Sequence, residues 1–301
     1  MNNTGIKGLF TAPWQRMRGR YWSIMAALFL PMILMLVGMV VFGGLAALVY
    51  VVSNGDLIVL SILLGILAFV WMIVFSVLAN VAAYYSVLAP NRVSFKECLT
   101  KGIKLFWPTV WIGALQMLII YAAICLFAVP GIYLGLALMF ALPILLMKGT
   151  KGFGAFLQSK DLVKGKWWAL LGHMLLVGIV TYLPIIIFVI PAESENVAVF
   201  SIAMILLYTY QIFFYTPYLM SFIAEQYFWL ESDKGGVPEV KDLKKRRIRF
   251  VILGIVGWLI AMIFLVGSIV QFVRFVMTTD SPMYYTEQGF DGFEFDESMF
   301  E

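Results

Sequence analysis

The sequence predicts an all-α, polytopic transmembrane helix bundle, and three observations carry that prediction. Hydrophobic residues make up 62% of its 301 positions and charged residues only 13%, whereas an average soluble domain holds roughly 45–50% apolar and about 25% charged residues. The apolar residues fall into seven runs, 21–52, 57–85, 106–129, 131–147, 167–190, 197–229 and 250–276, each near or above the ~17–25 residues that span a bilayer. Basic residues crowd one side of those runs. Twenty of the 21 Lys and Arg residues precede the first run or lie in segments 86–105, 148–166 and 230–249, leaving Arg274 on the other side.

By the positive-inside rule that crowded side is cytoplasmic. Residues 1–20, with Lys7, Arg16, Arg18 and Arg20, form a cytoplasmic N-terminal segment. The first run far exceeds the roughly 7–15 apolar residues of a cleaved signal, so it is expected to remain as a span. The short connections "SNGD" (53–56), "VPG" (129–131) and "PAESEN" (191–196) join six runs into three hairpins, a core over residues 21–249. Two of the longer inner segments are expected to hold amphipathic helices. In the first, Ser94 and Glu97 have capping-box spacing, and Phe95, Leu99, Ile103 and Phe106 form a stripe with Lys96, Lys101 and Lys104 largely off it. In the second, Phe153, Phe156, Leu157, Val163 and Trp167 do likewise; such helices lie in the headgroup plane with the apolar side down. The seventh run, 250–276, is apolar around its whole circumference, unlike a surface helix. An odd span count puts the tail, 277–301, outside; from Thr278 onward it holds seven acidic and six aromatic residues. The expected location is the cell membrane, N-terminus cytoplasmic and C-terminus outside.

Three basic-then-aromatic cassettes, "RGRYW" (18–22), "KLFW" (104–107) and "KGKWW" (164–168), stand before outward-going runs. Lys and Arg snorkel to headgroups while Trp rings prefer the interface just inside them. Trp22, Trp107, Trp167 and Trp168 are therefore interface anchors, and Arg18, Arg20, Lys101, Lys104, Lys164 and Lys166 are candidate lipid headgroup contacts. Each such Lys adds about 1 kcal/mol of attraction to an anionic leaflet. The partners implied are the bilayer, anionic lipid at the cytoplasmic loops, and a possible membrane protein partner. Nucleic acid is not implied, because the basic residues flank apolar spans rather than forming a soluble basic domain.

Spans three and five agree under a shift of 61 residues: Phe95 falls on Phe156, Trp107 on Trp168, Tyr121 on Tyr182 and Pro130 on Pro191, and "FALP" (140–143) echoes "FYTP" (214–217). This reads as a parallel repeat of loop helix plus hairpin, with chance agreement in aromatic-rich sequence as the alternative. The stretch "PGIYLGLALMFALPILLMKGTKGFGAFLQSKDLVKGKWWALLG", residues 130–172, resembles the membrane domain found beside glycerophosphodiester phosphodiesterases and related bacterial polytopic membrane proteins. The shared features are a Pro-Gly turn, an apolar return helix, a Gly-and-Phe start and a Ser-x-x-x-Val-basic-Gly-basic-Trp stretch. Over about residues 90–230 the resemblance implies a six-helix membrane core without catalytic residues of its own. The soluble barrel that carries catalysis in those enzymes has no counterpart among these seven runs, and the seventh run and acidic tail depart from the module.

Chemistry is sparse. The single histidine, His173, leaves little room for a His-based metal or triad site. Cys98 and Cys125 would lie ~40 Å apart on helical chain, far beyond disulfide reach. "GTKGFG" (149–154) lacks the Gly-Lys-Ser/Thr ending of a P-loop and reads as a connector or a lipid-phosphate contact. "NNT" (2–4) matches a glycosylation acceptor on the cytoplasmic side, where it is not used. Polar residues inside apolar runs are functional candidates by default: Glu225, at the interface or in a proton or substrate site; His173, packed against a helix or functional; Asn80, with Gln116 and Gln211, as hydrogen-bonding joints; and Arg274, snorkelling outward. Gly131 and Gly135 favour close helix contact, and Pro31, Pro143, Pro184 and Pro217 are expected to kink or break four helices. No catalytic, cofactor or metal residue is expected. The reading is a non-enzymatic membrane protein that organises lipid or binds a membrane partner. The alternative is a transporter or permease for a small molecule or lipid; an intramembrane enzyme is the weakest class.

Overall fold

The structure is a computed structural model and describes residues 6–126, 128–192, 197–239 and 243–279. The tail beyond 279, "NNT" and most of "PAESEN" lie outside the described residues. Regular structure among the described residues is entirely helical: α1 (Ile6–Gly38), a π-helical turn (Met39–Gly43), α2 (Gly44–Val52), α3 (Ile58–Leu88), α4 (Phe95–Lys104), α5 (Phe106–Leu126), α6 (Ala128–Leu138), α7 (Ala141–Lys148), α8 (Phe153–Val163), α9 (Trp167–Ala192), α10 (Val197–Tyr210), a second π turn (Gln211–Tyr215), α11 (Thr216–Asp233) and α12 (Leu243–Thr279). Six helical stretches are long and apolar enough to cross a membrane, or up to seven if α4 and α5, which meet at 65°, form one span.

Neither expected boundary at 20/21 nor at 249/250 is an element boundary. The first helical stretch runs without interruption from Lys7 to Val52, 46 residues, which at ~1.5 Å per residue is about 70 Å, over twice a hydrocarbon core of ~30 Å. Its first turns therefore belong to the same rod as the first apolar run. The hairpin back to α3 is made by "SNGD", where Asn54 and Gly55 take φ of +49° and +89°. Asn and Gly are the residues that tolerate this left-handed region. Farther along, the Trp71 indole donates to the Leu34 carbonyl at 2.8 Å. That approach requires Gly38, because a Cβ there would overlap the Trp71 ring. The second π turn is likewise met by a neighbour: the Tyr21 hydroxyl donates to the Phe213 carbonyl at 3.2 Å.

The prolines divide by context. Pro143 and Pro217 stand in the first turns of α7 and α11, just after the interruptions at 139–140 and 211–215. Pro31 lies inside α1 and Pro184 inside α9, neither of which ends there. "VPG" is not an outer loop, since α6 already begins at Ala128. Gly131 allows close contact with α5, where a Cβ would meet the Ile124 side chain at 2.5 Å, but Gly135 has open space around it.

Buried side chains concentrate where α1 begins, α3 and α11 end, and α4, α7 and α8 lie. Ile24, Val81, Val87, Leu88, Cys98, Leu145, Phe156, Leu157, Ala224 and Tyr227 form this core. Here the sequence-based expectation for the second loop helix fails. Phe156, Leu157 and Val163 of α8 are buried inside the protein rather than turned to a headgroup plane. Its partner α4 is intermediate: Cys98 and Gly102 are buried, Gly102 against Leu78 and Val81, while Ile103 is exposed. Burial pushes the Cys98 thiol up to about 11, with the Glu97 charge adding to the effect. The capping geometry is as expected on one side, the Glu97 amide donating to Ser94 Oγ at 3.3 Å. The Glu97 carboxylate instead accepts from the Tyr85 hydroxyl.

Candidate functional site

The charged groups converge on α11. Its last turns carry Glu225, Glu231 and Asp233, and each reaches a cation from a different helix. Arg16 of α1 donates through Nε to Glu225 at 2.5 Å, Lys148 of α7 pairs with Glu231 at 2.8 Å, and Lys166, just before α9, pairs with Asp233 at 2.8 Å. A fourth pair fixes α8 to α12, where Arg246 and Asp161 meet through two bonds of 2.6 Å. That fork geometry is the strongest form of carboxylate recognition.

Beside α11 opens a cleft of about 740 Å³, bordered by Gln15, Arg16, Arg20, Glu225, Phe228 and Glu231. Arg20 is engaged by the protein itself. Its guanidinium donates to the carbonyls of Ser86 at 2.9 Å, Val87, Ala89 and Pro90 at 3.0 Å, and Arg16 adds a bond to Val87 O. The last carbonyls of a helix have no intrahelical partner, so a cation placed there satisfies them and offsets the negative end of the helix dipole. Arg16 also lies 4.7 Å over the Phe228 ring.

His173 Nδ1 and Gln226 Oε1 are 3.0 Å apart, joining α9 to α11, and the imidazole packs on Trp229 at 5.3 Å. Lys166 sits over the same Trp229 ring, 5.7 Å from its centroid. Asn80 donates to Ser76 O within its own helix at 3.1 Å and joins no second helix.

The remaining sequence-derived candidates separate into two groups. Arg18, Lys104 and Lys164 are exposed, and Trp22, Trp107 and Trp168 are the barest of the large rings at 83, 75 and 78% exposure. Lys101 lies over the Tyr85 ring at 5.4 Å. Trp167 is half-buried between Trp168 and Tyr133. Thus Arg20, Lys101, Lys166 and Trp167 have protein contacts, and Arg18, Lys104, Lys164, Trp22, Trp107 and Trp168 are exposed.

Sequence reasoning missed Arg16, Asp161, Gln226, Glu231, Asp233 and Arg246. A signal existed: Glu225, Trp229 and Asp233 recur at four-residue spacing, one face of a helix, and six of the 17 acidic residues fall in the basic segments between the apolar runs. The arrangement provides tethering and charge neutralisation. Among the described residues no group of three or more His, Cys, Asp and Glu side chains gathers as metal ligands. No family model, no curated protein and no solved structure matches this chain.

Proposed function

We propose that this protein is a non-enzymatic, multi-pass membrane protein that organises anionic lipid at the cytoplasmic leaflet. The observation that carries the reading is the division of its cations. One set is consumed in tethers between helices, while Arg18, Lys104 and Lys164 stand free of the protein body beside Trp22, Trp107 and Trp168. Lys and Arg at headgroup depth with Trp just inside is the arrangement an anionic leaflet attracts. The long apolar helices support the bilayer setting: none of the most apolar 18-residue stretch of α3 is buried. The resemblance to the phosphodiesterase-associated membrane domain fits this reading and adds no catalytic role.

The test is lipid analysis of protein extracted with its surrounding bilayer. Wild type is expected to be enriched in anionic phospholipid over the bulk membrane, and the triple variant Arg18→Gln, Lys104→Gln, Lys164→Gln to lose that enrichment, with high salt mimicking the loss. Equal enrichment in both proteins overturns the reading. Orientation is tested separately, by replacing Cys98 and Cys125, placing a cysteine at Ser281 and applying a membrane-impermeant thiol reagent to intact cells. Labelling before lysis is expected for an outside tail.

Transport is the second reading, favoured by the 740 Å³ cleft beside the Arg16–Glu225 pair and by the local departures from α-helical winding in both return stretches, the turn at 139–140 and the π turn at 211–215. It predicts solute flux in reconstituted vesicles that Glu225→Gln abolishes in a folded protein.

A further inference from the structure

A second cavity lies away from the charged cleft, in the seam between α5 and α12 with α8 as its floor. It is about 460 Å³, within the roughly 300–1,000 Å³ of ordinary ligand pockets. Every residue bordering it is apolar, among them Leu115, Ile119, Phe153, Phe250, Gly254 and Trp258. A wall without hydrogen-bonding groups repels any polar solute, because each buried polar group would go unsatisfied. The occupant must be hydrocarbon along its whole length.

Three further observations define which hydrocarbon. The α12 wall runs from Phe250 to Leu259, about 14 Å at ~1.5 Å per residue, close to one leaflet, half of the ~30 Å core. It starts at Phe250, where the last apolar span also starts. At that mouth Lys160 holds its ammonium 5.2 Å over the Phe250 ring, while the nearby Asp161 carboxylate is already taken by both nitrogens of Arg246. The mouth therefore offers a cation, and the seam offers a leaflet-deep apolar channel. Gly254 borders the channel, and no atom lies within 4 Å of where its Cβ would stand, so a large side chain there would project into the seam.

We propose that the α5–α12 seam is a binding site for one acyl chain of an anionic phospholipid of the cytoplasmic leaflet, its phosphate held by Lys160. The site rests on the bilayer reading above, yet it differs from the exposed lipid contacts in stoichiometry and in residues: one chain lying in a groove, and none of Arg18, Lys104 or Lys164.

Native mass spectrometry of the full chain in detergent, with added dioleoyl phosphatidylglycerol or dioleoyl phosphatidylcholine, tests it. Wild type is expected to retain one phosphatidylglycerol, preferred about fivefold over phosphatidylcholine, the preference one lysine confers. Gly254→Phe fills the seam and should cut retention of both lipids at least fivefold. Lys160→Gln should still hold a chain but lose the headgroup preference. Gly254→Ala, which adds one methyl to open space, serves as the folding control; if Gly254→Phe unfolds, Leu118→Trp fills the same seam from α5. Retention equal to wild type in a folded, seam-filled variant overturns the site, as does wild type that retains neither lipid. The triple variant Arg18→Gln, Lys104→Gln, Lys164→Gln should keep the single lipid. Its loss of bulk enrichment alone would separate the two proposals, and failure of the bilayer reading would show as protein outside the membrane fraction.

Discussion

At the end of the bundle where cations gather, α8 is enclosed, α11 is tied to α1, α7 and α9 by ion pairs, and Arg20 closes the end of α3. At the opposite end α2 and the first half of α3 pack on each other with Leu48, Val52, Val59 and Leu63 left exposed. Apolar composition alone would predict the reverse burial, since α8 and α11 carry charged and amide residues among their apolar ones while α2 and the first half of α3 are almost wholly apolar. What separates them is the partner available. Around α8 the protein supplies its own apolar neighbours, whereas the apolar surface around α3 is left uncovered, as the proposed bilayer setting would have it. Tight specification at one end and a solvated hairpin at the other is the expected product of a chain that lipid completes.

The sharpest way to break that contrast is a matched pair of truncations. Phe156→Ala removes a buried ring from α8 and should cost about 3–5 kcal/mol, measured as unfolding of the purified protein in detergent. Leu63→Ala, at 57% exposure, should change stability by less than about 0.5 kcal/mol. Comparable losses would mean that the opposite end is packed as firmly as the core.

The same pair shows what was legible in the sequence. Helical character and the clustering of basic residues follow from apolar run length and charge position, and the regular structure among the described residues is helical. The side an apolar stripe faces does not follow. Phe156 and Phe95 occupy matching sequence contexts, but one is buried and the other half-buried, since a stripe aimed at protein and a stripe aimed at lipid have the same periodicity. Arg20 was equally opaque. In sequence it belongs to a snorkelling cassette, and the carbonyls it caps lie 66 to 70 residues away. Trp107 and Trp168, expected as interface anchors, are exposed rings, and each opens an apolar helix just after lysines, a local pattern.

A second, smaller effect sharpens the division of the cations. Arg20→Ala should cost about 2–3 kcal/mol, because the final carbonyls of α3 lose a charged donor. Arg18→Ala, two residues away and exposed, should be neutral within about 0.5 kcal/mol. Equal effects would return Arg20 to the headgroup role.

Smaller again is the Arg16–Glu225 tether, whose side chains are 19% and 13% exposed. Partial exposure screens the pair, but each charge would be left half-buried without the other. Glu225→Gln should therefore cost about 1–2 kcal/mol, and adding Arg16→Gln should cost less than the sum of the two single changes. Additive losses would show that the two residues act independently, and a neutral Glu225→Gln would restore a purely interfacial glutamate.

The smallest effect expected in detergent belongs to the three bare rings, and it separates protein contacts from lipid contacts. Trp22, Trp107 and Trp168 each meet one sequence-adjacent ring, Tyr21, Phe106 and Trp167, and are otherwise bare, so each change to Ala should shift unfolding by no more than about 1 kcal/mol. In a bilayer the rings have a second partner, the headgroup boundary, which favours their amphipathic edges. The triple Trp22→Ala, Trp107→Ala, Trp168→Ala should then lose more stability in phosphatidylglycerol vesicles than in detergent. Trp167→Ala is the internal contrast. Its ring contacts Tyr133 at 5.7 Å and Trp168 at 4.6 Å, so its loss should register in both settings. If the triple variant is destabilised equally in detergent and vesicles, the three rings are packing against protein and are not anchors. If it is unaffected in both, the basic end does not sit at a lipid boundary, and the contrast between a self-completed end and a lipid-completed end must be drawn elsewhere.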